Sequence, residues 1–135
     1  MSKNNFVFVV DDDASARRGM VRLLTKTEHI VRDFASLTDF IKALEPGVSG
    51  CLILDSKMPG MSGDELLEEL ASREVNLSLI IISASDDRAS KRKSLEMKAE
   101  GFFRKPVDGN ALLDAINWVL SSRARDVDQK NTNFN

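Results

Sequence analysis

Five short apolar runs recur along the chain: Phe6-Val7-Phe8-Val9-Val10, Ile30-Val31 with Phe34, Cys51-Leu52-Ile53-Leu54, Leu79-Ile80-Ile81-Ile82 and Phe102-Phe103. Several are apolar at consecutive rather than alternate positions, so both faces of those segments must be buried, as in the central strands of a parallel sheet. Longer amphipathic stretches separate them, the pattern of crossover helices. Ala16, Met20, Leu23 and Leu24 form one helical stripe, and Leu66, Leu67 and Leu70 form a second. Leu112, Leu113, Ile116, Val119 and Leu120 form a third. Ser36 before Asp39, Ser62 before Glu65, and Asp108 ahead of the last stripe read as helix caps. The spacing predicts an α/β fold, a doubly wound five-stranded parallel sheet with five helices, the fourth a weakly apolar one over Asp86–Met97.

A chain of 135 residues suits one domain. The expected division is a folded unit over 1–122 followed by a polar tail or linker stub over 123–135. With 42% hydrophobic and 30% charged residues, disorder and a disulfide scaffold are disfavoured. A net charge of -2, from 19 basic against 21 acidic residues, supplies no field for direct nucleic-acid binding. The single cysteine, Cys51, reads as a small buried residue in a reducing compartment. No apolar run approaches the ~20 residues of a membrane span, and Phe6–Val10 is too short for a signal-peptide core of about 7–15 residues. A cytoplasmic location is expected.

In an open parallel sheet, ligands bind at the carboxyl ends of the strands. Asp11, Asp12 and Asp13 follow the first run, Asp55 the third, Ser83 the fourth, and Lys105 the fifth. Crowded carboxylates repel, so one stays protonated or a cation neutralises them. An oxygen-only donor set without His or Cys favours a hard ion, and Mg²⁺ keeps coordination positions open for phosphate oxygens. A carboxylate beside that ion can attack phosphorus, while an amine and a hydroxyl stabilise the transferred group. Asp55, alone at its strand end, is the best nucleophile candidate, and the Asp11–Asp12 pair suits the cation. Asp13, directly before a helix, fits a capping role equally well.

With those residues placed, the sequence resembles a bacterial two-component response-regulator receiver domain from about Phe6 to Leu120. The resemblance is carried by Val9-Val10-Asp11-Asp12-Asp13, by Leu54-Asp55-Ser56-Lys57-Met58-Pro59-Gly60-Met61-Ser62-Gly63, by Ile82-Ser83-Ala84, and by Phe102-Phe103-Arg104-Lys105-Pro106. It implies a flavodoxin-like strand order 2-1-3-4-5 and a phosphoryl group supplied to Asp55 by a histidine kinase or a phosphotransfer protein. It further implies Mg²⁺ held by Asp12, Asp55 and the backbone carbonyl of Lys57, with Asp11 assisting through water. Ser83 would donate to the phosphoryl group, Lys105 would pair with it, Ala84 would leave access, and Lys105-Pro106 would be cis. Ser83 and Phe102 would form the switch to a face made by the fourth helix, fifth strand and fifth helix. That face would meet a downstream protein, a missing output domain or a second copy.

Three positions depart from the family pattern. Lys57 and Ser85, each two residues past a site residue, are expected to alter the acyl-phosphate lifetime, in either direction. Lys98 stands where the family often has glycine at the end of the fourth helix, and a left-handed cap there would carry strain. Phe102 also fits a plain core aromatic, and the basic residues Arg88, Lys91, Arg92 and Lys93 fit either a solvated face or a surface for an acidic partner. Trp118 lies off the apolar stripe of its helix, and His29 has no neighbours that would make it a ligand. The family reading gives a signalling module, stand-alone or excised, that catalyses only its own phosphorylation and dephosphorylation. The alternatives are an Mg²⁺-dependent phosphohydrolase using an aspartyl phosphate, and a receiver-like interaction module that works without phosphorylation.

Overall fold

A computed structural model of the chain describes residues 5–84 and 88–133, with side chains as far as residue 122. Among the described residues, five strands and five helices alternate: β1 (Phe6–Val10), α1 (Ala14–Leu24), β2 (Ile30–Phe34), α2 (Leu37–Ala43), β3 (Ser49–Asp55), α3 (Gly63–Ser72), β4 (Asn76–Ser83), α4 (Arg88–Glu96), β5 (Gly101–Arg104) and α5 (Gly109–Asn133). All neighbouring strands pair in parallel, in the order β2-β1-β3-β4-β5. The sheet is doubly wound, as the apolar runs predict.

Alternate residues of each central strand feed two separate cores. Phe8, Val10, Leu52, Leu54, Leu79 and Ile81 pack with α2 and α3 on one face. Val7, Val9, Cys51, Ile53, Ile80 and Ile82 pack with α1 and α5 on the other. This is why β1, β3 and β4 are apolar at consecutive positions. Edge strands β2 and β5 are less covered, and Ile30 is 41% exposed. Close approach of β1 and β3 requires Gly50, because a Cβ there would run into the main chain of Phe6.

The expected caps are present. Ser36 Oγ accepts from the Asp39 amide, Ser62 and Glu65 form a reciprocal capping box, and Asp108 accepts from the Ala111 amide. The backbone bond to Ser62 holds the exposed Glu65 carboxyl below its ordinary pKa. Asp13 caps α1 by accepting from Ser15 and Ala16, which gives it a structural role.

The expected start of the fourth helix, Asp86, lies outside the described residues, which resume in helix at Arg88. One boundary differs from the expectation. The last helix does not stop near Ser121 but continues through the polar stretch to Asn133. Charged and polar residues without Pro or Gly do not break a helix, so polarity alone misplaces its end. No described helix is long and apolar enough to cross a membrane.

Candidate functional site

Because the central strands run parallel, their carboxyl ends and the loops that leave them lie on one edge of the sheet. In-register pairing sets Val10 beside Leu54, so Asp11 and Asp55 leave β1 and β3 as neighbours. Carboxylate oxygens of Asp11, Asp12 and Asp55 all lie within 4.8 Å of one another. Asp11 is buried and Asp55 half-buried, while Asp12 faces solvent. Lys105, past the end of β5, reaches across two strands. Its Nζ lies 3.4 Å from Asp11 Oδ2 and 3.6 Å from Asp55 Oδ1.

The electrostatics follow from this crowding. Burial raises the Asp55 pKa, Lys105 opposes the shift, and the charges of Asp11 and Asp12 add to it. For Lys105, burial acts to lower the pKa, but Asp55 and Asp11 outweigh it and the ammonium form is favoured. One lysine does not balance three carboxylates. Their oxygen-only set, converging on a space a few ångströms across, fits a hard divalent cation such as Mg²⁺.

Main-chain bonds fix the surrounding loops. Asp11 Oδ1 accepts from the Asp13 amide at 2.9 Å, and the Ser56 amide donates to the Ile82 carbonyl at 2.8 Å. The Lys105 amide donates to the Ser83 carbonyl at 2.7 Å, and the Lys105-Pro106 peptide is cis. Ser83 is fully buried at the end of β4, its Oγ 3.5 Å from Ser90 Oγ of α4. Lys57 and Ala84 are exposed at the rim, and Ser85 lies outside the described residues.

Phe102 and Phe103 take opposite faces of β5, each against a different core. Phe102 is half-buried and lines a groove of about 410 Å³ between α4 and β5, together with Leu95, Ala99 and Lys91. Trp118 is 61% exposed on α5.

Three contacts here escaped the sequence reading. Arg17 of α1 donates from Nη1 to the Asp11 carbonyl at 2.7 Å and from Nε to the Asp33 carboxylate at 3.1 Å. Lys93, which the sequence assigns to a solvated or partner-facing surface, donates instead to the Ser56 carbonyl at 2.7 Å. The inward residues of α4 are Ser90 and Ser94. Its low apolar content is the one sequence signal for that. Arg17 to Asp11 and Lys93 to Ser56 end on main-chain carbonyls, which a residue pattern does not mark.

Comparison with known proteins agrees with this geometry. The response regulator receiver domain family matches residues 7–117. The transcriptional regulatory protein TdiR of Thauera aromatica is 36% identical over 125 residues, covering 93% of this chain and 55% of that protein. FixJ of Azorhizobium caulinodans is 32% identical over 118 residues, covering 87% of this chain and 56% of that one. The chain therefore spans about half the length of the curated relatives it matches. Among solved structures, the response regulator StyR superposes with a TM-score of 0.78 at 35% identity, covering 97% of this chain and 66% of that chain. Full-length FixJ from B. japonicum gives 0.76 at 26%, covering 96% and 66%. Strand order, the acid-and-lysine cluster at the sheet edge and a family match over most of the sequence lead to one assignment: this chain belongs to the response regulator receiver domains of two-component signalling systems.

Proposed function

We propose that Asp55 is the phosphoacceptor of this receiver domain and that phosphorylation requires Mg²⁺. The observation that carries this reading is the convergence of Asp11, Asp12 and Asp55 with Lys105 Nζ within 3.6 Å of Asp55. Asp55 Oδ attacks the phosphorus of a phosphohistidine on a histidine kinase or phosphotransfer protein. The phosphorus–nitrogen bond breaks, and the imidazole leaves with its electron pair. When bound, Mg²⁺ screens the carboxylates from the incoming anion and stabilises charge on the transferred oxygens. Asp12, Asp55 and the Lys57 carbonyl are its proposed ligands, with Asp11 acting through water. Lys105 pairs with the transferred group, and Ser83 donates a hydrogen bond to it. Water then attacks the phosphorus, releases phosphate and regenerates the carboxylate, so the only turnover is of the domain's own modification. Exposed Lys57 and Ala84 stand at the entrance; with Ser85, named from the family pattern alone, they set water access and lifetime.

Ser83 and Phe102 are the proposed switch. Engagement of Ser83 by the phosphoryl group would change its contact with α4, and Phe102 borders the α4–β5 groove that would register this change. Since this chain spans about half the length of the curated relatives and TdiR is a transcriptional regulatory protein, the downstream target is either a following output domain or a separate protein. Pairing of two copies through α4, β5 and α5 is part of the same proposal. Residues 1–122 form the receiver and 123–135 lead away from it, in a cytoplasmic protein.

The test is incubation with Mg²⁺ and a small phosphodonor, followed by intact-mass measurement of wild type and Asp55→Asn. A single added phosphoryl group in wild type, absent from the variant and from a chelator control, is the expected result. Equal modification of the variant, or none of the wild type, overturns the assignment.

A further inference from the structure

Two main-chain carbonyls beside the acidic cluster are each held by a cation from a different helix. Arg17 of α1 reaches the Asp11 carbonyl at 2.7 Å and is itself anchored by Asp33 near the end of β2. Its side chain is only 17% exposed. Lys93 of α4 reaches the Ser56 carbonyl, also at 2.7 Å. The first carbonyl belongs to the peptide unit joining Asp11 to Asp12, and the second to the unit joining Ser56 to Lys57. Fixing those two planes orients Asp12 on one loop and Lys57 on the other. Both are proposed to supply ligand oxygens.

Neither contact involves a carboxylate of the cluster, so the acid oxygens stay available to an ion. The inward residues of α4 are Ser90 and Ser94, and its large apolar residue, Leu95, is 79% exposed, so the apolar anchor at this end of the helix is Met97, just past it.

We propose that Arg17 and Lys93 are positioning residues that pre-set the two acidic loops for a divalent cation. This rests on the reading of the site given above. The two effects of such a cation have opposite signs. By Coulomb's law alone, removing a positive charge near the cluster strengthens Mg²⁺ binding, and solvent at the open rim screens that gain. Releasing a short charge-assisted hydrogen bond lets the loop spread, and the lost pre-organisation weakens binding. The 2.7 Å geometry at both carbonyls makes the second effect the larger one.

Calorimetric titration of the full chain with Mg²⁺ separates the two signs. Arg17→Met and Lys93→Met are each expected to raise the dissociation constant roughly fivefold, the size expected for one hydrogen bond to a charged group at a partly exposed site. Lys93→Arg, which keeps a cationic donor, should restore most of the affinity. Arg92→Met removes an exposed charge from the same helix and should not weaken binding. Asp33→Asn, which loosens Arg17 without removing its charge, is the milder variant should Arg17→Met fail to fold, and should weaken binding about twofold. Circular dichroism in chelator checks that each variant is folded at the titration temperature. Unchanged or tighter binding by Lys93→Met, or a loss that Lys93→Arg does not recover, overturns the proposal. Absence of Mg²⁺ binding by wild type, or undiminished binding by Asp55→Asn, overturns instead the reading of the site, and the positioning roles with it.

Discussion

Asp55 stands half-buried next to Asp11 and Asp12, and its raised pKa has a consequence for stability. A carboxyl whose folded pKa exceeds its unfolded value binds its proton more tightly in the folded state. Its contribution is therefore fully present below the unfolded carboxylate range near 4 and is lost as pH rises through the folded pKa. Without metal, Asp55→Asn should therefore be more stable than wild type at pH 7, because Lys105 keeps Asp11 as a partner. That gain should vanish below about pH 4, where both side chains are neutral. Denaturant midpoints in chelator at the two pH values check the sign, and an equal gain at both refutes it. Ser56, next along, offers a second test. Its Oγ is buried and finds no hydrogen-bond partner among the described residues. Ser56→Ala should stabilise the fold by about 1 kcal/mol in the same denaturant assay, since an unsatisfied buried hydroxyl costs roughly that much. The acids and Lys105 were legible in the sequence because each directly follows or closely trails an apolar run. Arg17 and Lys93 were not, because each reaches a main-chain carbonyl brought up by the fold, across 37 residues in the case of Lys93, and nothing in the pattern marks Ser56 Oγ as buried.

At the scale of elements, α3 and α4 end in the same way. The Val75 amide bonds back to Leu70 and the Ala99 amide to Ser94, leaving Glu74 and Lys98 each at a φ of 57°. That left-handed turn normally falls to glycine, which meets no Cβ clash there. Glu74→Gly and Lys98→Gly should each stabilise the chain by about 1 kcal/mol, measured by chemical denaturation, with the two effects adding because they lie in separate turns. A loss in either variant would mean that its side chain contributes more than its backbone strain removes. The strain at Lys98 was foreseeable from the family pattern, whereas nothing in Arg73-Glu74-Val75 marks a left-handed residue. The helices also differ in how firmly they are held. Leu112, Ile116, Val119 and Leu120 anchor α5, while α4 turns two serines to the sheet. Its low apolar content shows in the sequence, and an inward face of two serines is easier to shift than an apolar one if Ser83 changes partner.

For the molecule as a whole, the apolar runs carried the layered architecture, since consecutive apolar residues require two covered faces and two covered faces require helices on both sides. The strand order was legible only through the family resemblance. The apolar pattern said nothing of where α5 stops, because an apolar stripe marks the part of a helix that packs on the sheet and not how far the helix runs on. Among the residues whose side chains are described, the buried ones of α5 lie at or before Leu120, and the helix extends to Asn133. A chain ending at Ser122 keeps all of these buried residues and should keep its stability to within about 0.5 kcal/mol, the usual range for changes that touch no core residue. Trp118, the single tryptophan and 61% exposed, supplies a second readout. Its fluorescence maximum should be the same in the shortened and full chains. A red shift on shortening, or a loss of more than about 2 kcal/mol, would show that residues past 122 fold back over α5 and belong to the domain. If neither is seen, the last turns of α5 form a rod leading out of the receiver. A rod attached to the helix next to β5 would carry a change at Phe102 toward whatever follows in the longer relatives.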